Sequence, residues 1–126
     1  MMAENEITNR VIGCAIKVHK VLGPGLLESA YEACLAYELR VCDLYVERQK
    51  PIPLVYNDVK LDCGYRADLI VENQVLVEIK AVEALNEIHF MQALTHIKLL
   101  DVRIGLLINF NIARVTDGIK RIANKY

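Results

Sequence analysis

The sequence predicts an α/β protein in which helices flank a small mixed β-sheet. Three observations predict it. Apolar residues recur at helical spacing through the opening forty or so positions. A β-prone middle follows, with a hairpin signal at Glu72-Asn73-Gln74. Near the end a helical segment is followed by a short, wholly apolar run, Ile104 to Ile108. Strands mixed with helices in this way imply a layered sandwich.

Taken in order, residues 5 to 22 read as a helix, because Ile7, Val11, Cys14, Val18 and Val21/Leu22 fall on one stripe. Gly23-Pro24-Gly25 breaks it. A second helix is expected from about Leu26 to Cys42, and the short join makes the two neighbours. Tyr45 to Lys50 and Ile52 to Tyr56 are β-prone, with Pro51 and Pro53 confining them to an edge or a bend. Asn57-Asp58 is a turn signal. Lys60 to Val71 and Val75 to Ala81 then read as the two arms of a hairpin. A third helix is expected over Glu83 to Leu100, a strand buried on both faces at Ile104 to Ile108, and a last helix from Val115 to Ala123.

A chain of 126 residues fits one domain, residues 1–126. At this length about two thirds of the unfolded surface can be buried, enough for a core without staples. The apolar fraction, 54%, exceeds the usual range of about 45–50%. Either a homodimer interface or a denser core accounts for the excess. The net charge of −1, from 15 basic and 16 acidic residues, argues against a tight, non-specific DNA binder. It argues less against an enzyme whose acidic site holds a cation. Lys98, Arg103, Arg114, Lys120, Arg121 and Lys125 crowd the last third. Cys14, Cys34, Cys42 and Cys63 form no CxxC pair, so a zinc site is not expected. Cys14 and Cys34 lie among apolar residues of helical spacing and read as buried thiols. The polar N-terminus is no signal peptide, and no segment is apolar enough to span a membrane. A reduced, cytoplasmic protein is expected.

The hairpin carries the chemistry. On a strand, Glu78 and Lys80 share one face, while Val75, Val77, Ile79 and Ala81 share the other. The partner arm carries Tyr65, Ala67, Leu69 and Val71 on one face and Arg66, Asp68 and Ile70 on the other. Directly paired residues share a face, so the apolar stripes must match. A two-residue turn would place Asp68 opposite Ile79 and mix the faces. A three-residue loop, 72 to 74, pairs Val71 with Val75 and Asp68 with Glu78, and Asn73 suits the left-handed position such a loop needs. Two carboxylates face to face repel and call for a shared proton or a cation. Oxygen-only ligands suit Mg²⁺ or Mn²⁺. Such an ion lowers the pKa of bound water and steadies charge on a phosphate, and Lys80 can orient the water or offset charge in the transition state.

Two further features bear on this cluster. His89, Gln92 and His96, at i, i+3 and i+7, form a polar stripe on the helix that follows the Glu78–Lys80 strand. Glu28, three residues after Gly25, either satisfies a helix N-terminus or supplies another acidic ligand.

Gly25-Leu26-Leu27-Glu28-Ser29-Ala30-Tyr31 reads as GxxExxY. Through this stretch and those around LGPGLLESAYE, GYRADLIVE, VEIKAVEAL and GLLINFN, the chain resembles, over nearly its whole length, the GxxExxY family of bacterial and archaeal proteins. That family is assigned to the PD-(D/E)XK nuclease superfamily, whose RecB-like exonuclease branch has a helix-borne Glu, a GxxxD strand, an ExK strand and a QxxxY helix. The resemblance implies a restriction-endonuclease-like three-layer sandwich, a small mixed sheet flanked by helices. It implies that Glu28, Asp68 and Glu78 bind metal with the carbonyl of Ile79. Lys80 would be catalytic and Gln92 would position substrate or water. His96, Tyr31 and Arg66 are expected as substrate contacts. One departure is that His96 stands where QxxxY has its tyrosine.

The function expected is a Mg²⁺-dependent phosphodiesterase acting on DNA, less readily RNA. The alternative is a nucleic-acid- or protein-binding adaptor that keeps the fold with little activity, favoured by small size and near-neutral charge. Expected partners are nucleic acid, a second copy of the chain, or a larger repair or defence assembly. No Gly-rich phosphate loop, nucleophile elbow or Cys–His pair points to another enzyme class.

Overall fold

Helix α1 spans Glu4–Leu22, with Glu4 and Glu6 in its first turn and His19 and Lys20 in its last, the distribution the helix dipole favours. Its stripe of Ile7, Val11, Cys14, Ala15 and Val18 is buried as the periodicity predicts. The helix stops at Gly23, whose φ of 66° is cheap only for glycine. Helix α2 covers Glu28–Val41 and packs beside α1, where Lys17 and Glu38 pair at 2.9 Å. The computed structural model of the chain describes residues 2–61 and 64–124. Cys63 and Lys125, named above, lie outside the described residues.

Five strands form one sheet: β1 (Val46–Pro51), β4 (Arg66–Val71), β5 (Val75–Lys80), β6 (Ile104–Asn109) and β7 (Ile119–Ala123), in the order β1-β4-β5-β6-β7. Strands β2 (Leu54–Tyr56) and β3 (Val59–Leu61) form a separate two-stranded hairpin. Within the main sheet only β5 and β6 are parallel, and helix α3 (Glu87–Leu100) joins them. Pro51 ends the edge strand β1, where its missing N–H costs nothing. β6 is buried along its whole length, as its apolar run requires.

Helices α1 and α2 cover one face of the sheet, burying Leu69, Val71, Val75, Val77, Ile79, Leu106 and Ile108 beneath Ile7, Val11, Leu35 and Leu39. Helix α3 covers the other, where Ile97 packs with Ile70 and Leu76. It seats closely, since a Cβ on Gly105 of β6 would meet Ile97 at 3.1 Å. The result is the three-layer α/β/α sandwich with a mixed sheet, a restriction-endonuclease-like fold.

Three expectations are corrected. The stretch expected as one strand from Lys60 to Val71 is divided: β3 ends at Leu61, β4 begins at Arg66, and Gly64 sits between at φ 73°. The third helix starts at Glu87 rather than Glu83. Asn86 and His89 form a capping box there, and Asn109 holds the preceding segment by accepting from Val82 N–H and donating to its carbonyl. The expected last helix is a single 3-10 turn, Val115–Gly118, followed by β7. Val115, Ile119 and Ile122 have helical spacing, but on a strand Ile119 and Ile122 face opposite sides, and each packs into a different core.

Candidate active site

The hairpin register is the one the apolar stripes demand: Val71 pairs with Val75, Ile70 with Leu76 and Leu69 with Val77. Glu72 and Asn73 both take positive φ, at 54°. Glu72 tolerates it because its backbone N–H bonds the Tyr45 carbonyl at 2.8 Å and its carboxylate accepts the Tyr45 N–H. One step beyond Leu69, the side chain of Asp68 replaces the backbone as partner of β5. Its Oδ2 accepts the Ile79 N–H at 2.8 Å. Asp68 is thereby held beside Glu78.

Glu78 is 5% exposed and points to the α3 side of the sheet, where His96 Nδ1 bonds its Oε1. Lys80 is half-buried on the same strand face as Glu78. The Asp68 carboxyl is pushed up to about 6. Burial is the main cause. The Ile79 N–H opposes it, the charges of Glu78 and Glu32 add to it, and the Lys80 ammonium pulls it down. A carboxylate pair of this kind is relieved by a proton or by a cation.

The third carboxylate near Asp68 is one the sequence reading missed. Glu32 on α2 is 6% exposed; its Oε1 accepts from Gln49 Nε2 at 2.5 Å and its Oε2 from Arg48 at 3.0 and 3.2 Å. Gln49 Nε2 also reaches Asp68 Oδ1 at 3.3 Å, so Gln49 bridges the two acids. The signal was present. Glu32 shares a helical stripe with Leu35, Ala36 and Leu39, and a charge on a buried stripe requires partners. Glu28, one turn earlier, is exposed in the first turn of α2.

The other expected residues separate into groups. Gln92 and His96 line one hollow beside α3. His89 instead caps α3, its Nδ1 accepting the Asn86 N–H at 3.1 Å. Arg66 is exposed at the start of β4 and donates to the Gln49 carbonyl at 3.1 Å. Tyr31 is fully buried, stacked on Phe110 with ring centroids 4.6 Å apart. Its hydroxyl donates to the Gly23 carbonyl at 2.6 Å and accepts the Leu26 N–H at 3.1 Å. That environment ties down the Gly23–Leu26 loop and offers no surface for a substrate contact.

Among the described residues no three His, Cys, Asp or Glu side chains are grouped so as to hold a metal ion between them. The donor set nonetheless fits a hard divalent cation of the Mg²⁺ type, which is held by one or two carboxylates and keeps several waters. Asp68 and Glu78 supply the carboxylates. A residue in a strand presents its N–H and C=O to the same neighbour. Ile79 N–H faces Asp68 and the Lys80 carbonyl faces β6, accepting from Phe110 N–H, so the Ile79 carbonyl lies on the Asp68 side. Cys14 is buried, Cys34 half-buried and Cys42 exposed, all free.

A family model described as the PD-(D/E)XK nuclease superfamily matches residues 5–122. No curated protein and no solved structure matches the chain. Among the described residues no helix is long and apolar enough to cross a membrane.

Proposed function

Because the chain belongs to the PD-(D/E)XK nuclease superfamily, we propose that it is a metal-dependent phosphodiesterase that hydrolyses nucleic acid, DNA in preference to RNA. The observation that carries this reading is the placement of Asp68, bonded to the Ile79 N–H, beside Glu78 on the adjacent strand, with Lys80 on the same strand face as Glu78. Asp68, Glu78 and the Ile79 carbonyl would hold Mg²⁺ or Mn²⁺. When bound, the ion supplies an activated water and steadies negative charge on the phosphate.

The chain's own groups do the rest. His96 fixes one oxygen of Glu78 and leaves the other for a ligand. The Ile79 N–H orients Asp68. The Lys80 ammonium stabilises the extra charge as water adds to phosphorus and the bond to the leaving oxygen breaks. Gln92, exposed on α3 in the hollow that His96 also lines, positions the substrate or the water. Glu32 and Gln49 hold Asp68 from behind, and Glu28, exposed in the first turn of α2, would supply a further acidic ligand.

The test is a panel of labelled single- and double-stranded DNA and RNA, incubated with Mg²⁺, Mn²⁺ or chelator, for wild type and Lys80→Ala. Metal-dependent cleavage that is lost in Lys80→Ala is expected. Metal binding by calorimetry without cleavage of any substrate would replace this reading with that of a binding module.

A further inference from the structure

Three of the large apolar residues that the fold leaves exposed, Tyr65, Ile88 and Met91, lie together beside the carboxylate pair. A groove of about 380 Å³ runs between α3 and the chain leading into β4. Tyr65, Ile88 and Met91 line it while remaining 52%, 60% and 55% exposed. Its polar lining consists of Gln92, Thr95 and His96. Among the described residues that line it there is no Lys, Arg, Asp or Glu. His96 belongs to both places: one side of the ring borders the groove and Nδ1 holds Glu78. The Tyr65 ring lies 6.5 Å from the His96 ring at a tilt of 47°.

We infer that this groove binds one unpaired nucleobase of the substrate strand, next to the phosphate held at Asp68 and Glu78. The inference rests on the phosphodiesterase reading and adds the substrate class, a single-stranded or frayed end. A ligand here must be flat, largely apolar and neutral, with edge groups that hydrogen-bond Gln92 or Thr95, and it must be joined to an anion at the carboxylate site. A nucleobase joined to its phosphate meets every condition. Exposed aromatic faces bind bases by stacking and tolerate any base, because each has a π-face. A base inside a duplex has both faces covered and its edge paired, so it enters a side groove only after leaving the stack. The near-neutral charge agrees with this mode. Affinity drawn from stacking rather than from many phosphate contacts carries a shallow salt dependence.

The experiment measures quenching of 2-aminopurine placed near the end of a short DNA, single-stranded or closed into a hairpin duplex. The metal is Ca²⁺ and the protein is the Lys80→Ala full chain, so that cleavage does not intervene. Single strands are expected to bind at least tenfold more tightly than the duplex. Tyr65→Ala should weaken single-strand binding roughly tenfold, the loss of one stacked base, while Tyr65→Phe keeps it. Ile88→Ala and Met91→Ala, also at exposed positions, should each weaken it several-fold. Equal binding of duplex and single strand, or a Tyr65→Ala protein that binds as before, would overturn the base groove and leave the phosphodiesterase reading standing. No nucleic acid bound by any variant, together with no cleavage by wild type, would sink both. A dimer by sedimentation that Tyr65→Ala dissociates would assign the groove to a second copy of the chain instead.

Discussion

His96 on α3 bonds Glu78 on β5, eighteen positions away in sequence, and this contact fixes a buried acid on the α3 side of the sheet. The strand alone does not orient Glu78, because a glutamate has three rotatable bonds. The helix supplies the restraint, and it does so from the same stripe that borders the groove.

His96→Ala therefore removes a hydrogen bond from a carboxylate that is 5% exposed. We expect a loss of about 1–3 kcal/mol in folding stability by urea denaturation, the usual cost of leaving a buried charged acceptor without its partner. Metal affinity by calorimetry should fall about 10–100-fold, as for other residues that orient a ligand. His96→Gln keeps a donor and should recover part of both. An Ala variant with unchanged metal affinity would separate this contact from the metal site.

Asp68 makes the metal-free protein sensitive to pH. Its carboxyl titrates near 6 in the fold against an ordinary value of 3.8, chiefly because it is buried. The folded state thus holds the proton more firmly than the unfolded chain does. The contribution of this group is fully present below about pH 4 and is lost as pH rises through about 6. Part of the side chain meets solvent, so the loss is discounted to about 1–2 kcal/mol. In chelator, the stability difference between Asp68→Asn and wild type should shift in favour of the variant by that amount between pH 4 and pH 7. Adding Mn²⁺ should abolish the wild-type slope, since the ion takes the place of the proton. A difference that stays flat with pH would show that Asp68 is not the titrating group.

The hairpin was readable because two constraints met: apolar stripes must align, and a three-residue loop aligns them where a two-residue turn does not, which brings Asp68 beside Glu78. The C-terminal strand was not, because the spacing of Val115, Ile119 and Ile122 suits a helix as well as an edge strand contributing to two cores. The start of α3 was misplaced because Glu83 and Ala84 are good helix formers, whereas the cap at Asn86 depends on a reciprocal bond with His89. Glu32 does not stand out in the sequence beside Glu28, since both lie on one helical stripe and only tertiary packing buries Glu32. Tyr31 is part of the same motif, and its partners, Gly23, Leu26 and Phe110, include one nearly eighty positions away.

Glu32 and Glu28 give opposite expectations. Glu32→Gln removes the charge that Arg48 and Gln49 bond, so we expect about 1–3 kcal/mol less stability. It also removes one of the charges that raise Asp68, so the Asp68 transition should move to lower pH. Glu28→Gln, at an exposed position, should stay within about 0.5 kcal/mol of wild type. Calorimetric Mn²⁺ titration of the two variants decides which acid of α2 contributes to the metal site. A larger loss of affinity in Glu28→Gln than in Glu32→Gln would assign the ligand to Glu28.

Tyr31→Phe tests whether the aromatic of the GxxExxY motif serves the fold or the reaction. The hydroxyl satisfies the Gly23 carbonyl and the Leu26 N–H, at 2.6 and 3.1 Å, across a loop that contains two glycines at positive φ. Phenylalanine preserves the stacking on Phe110 and leaves both backbone groups to find water. We expect a loss of about 1–2 kcal/mol, seen as a lower urea midpoint with the same slope. Freed of its tie, the Gly23–Leu26 loop should exchange its amide hydrogens faster, the Leu26 amide above all. Because Tyr31 is fully buried, metal affinity and the cleavage rate at saturating substrate should remain those of wild type wherever the variant is folded. A fall in cleavage rate at full folding would place this loop, and with it the first turn of α2 and Glu28, in the path of the substrate.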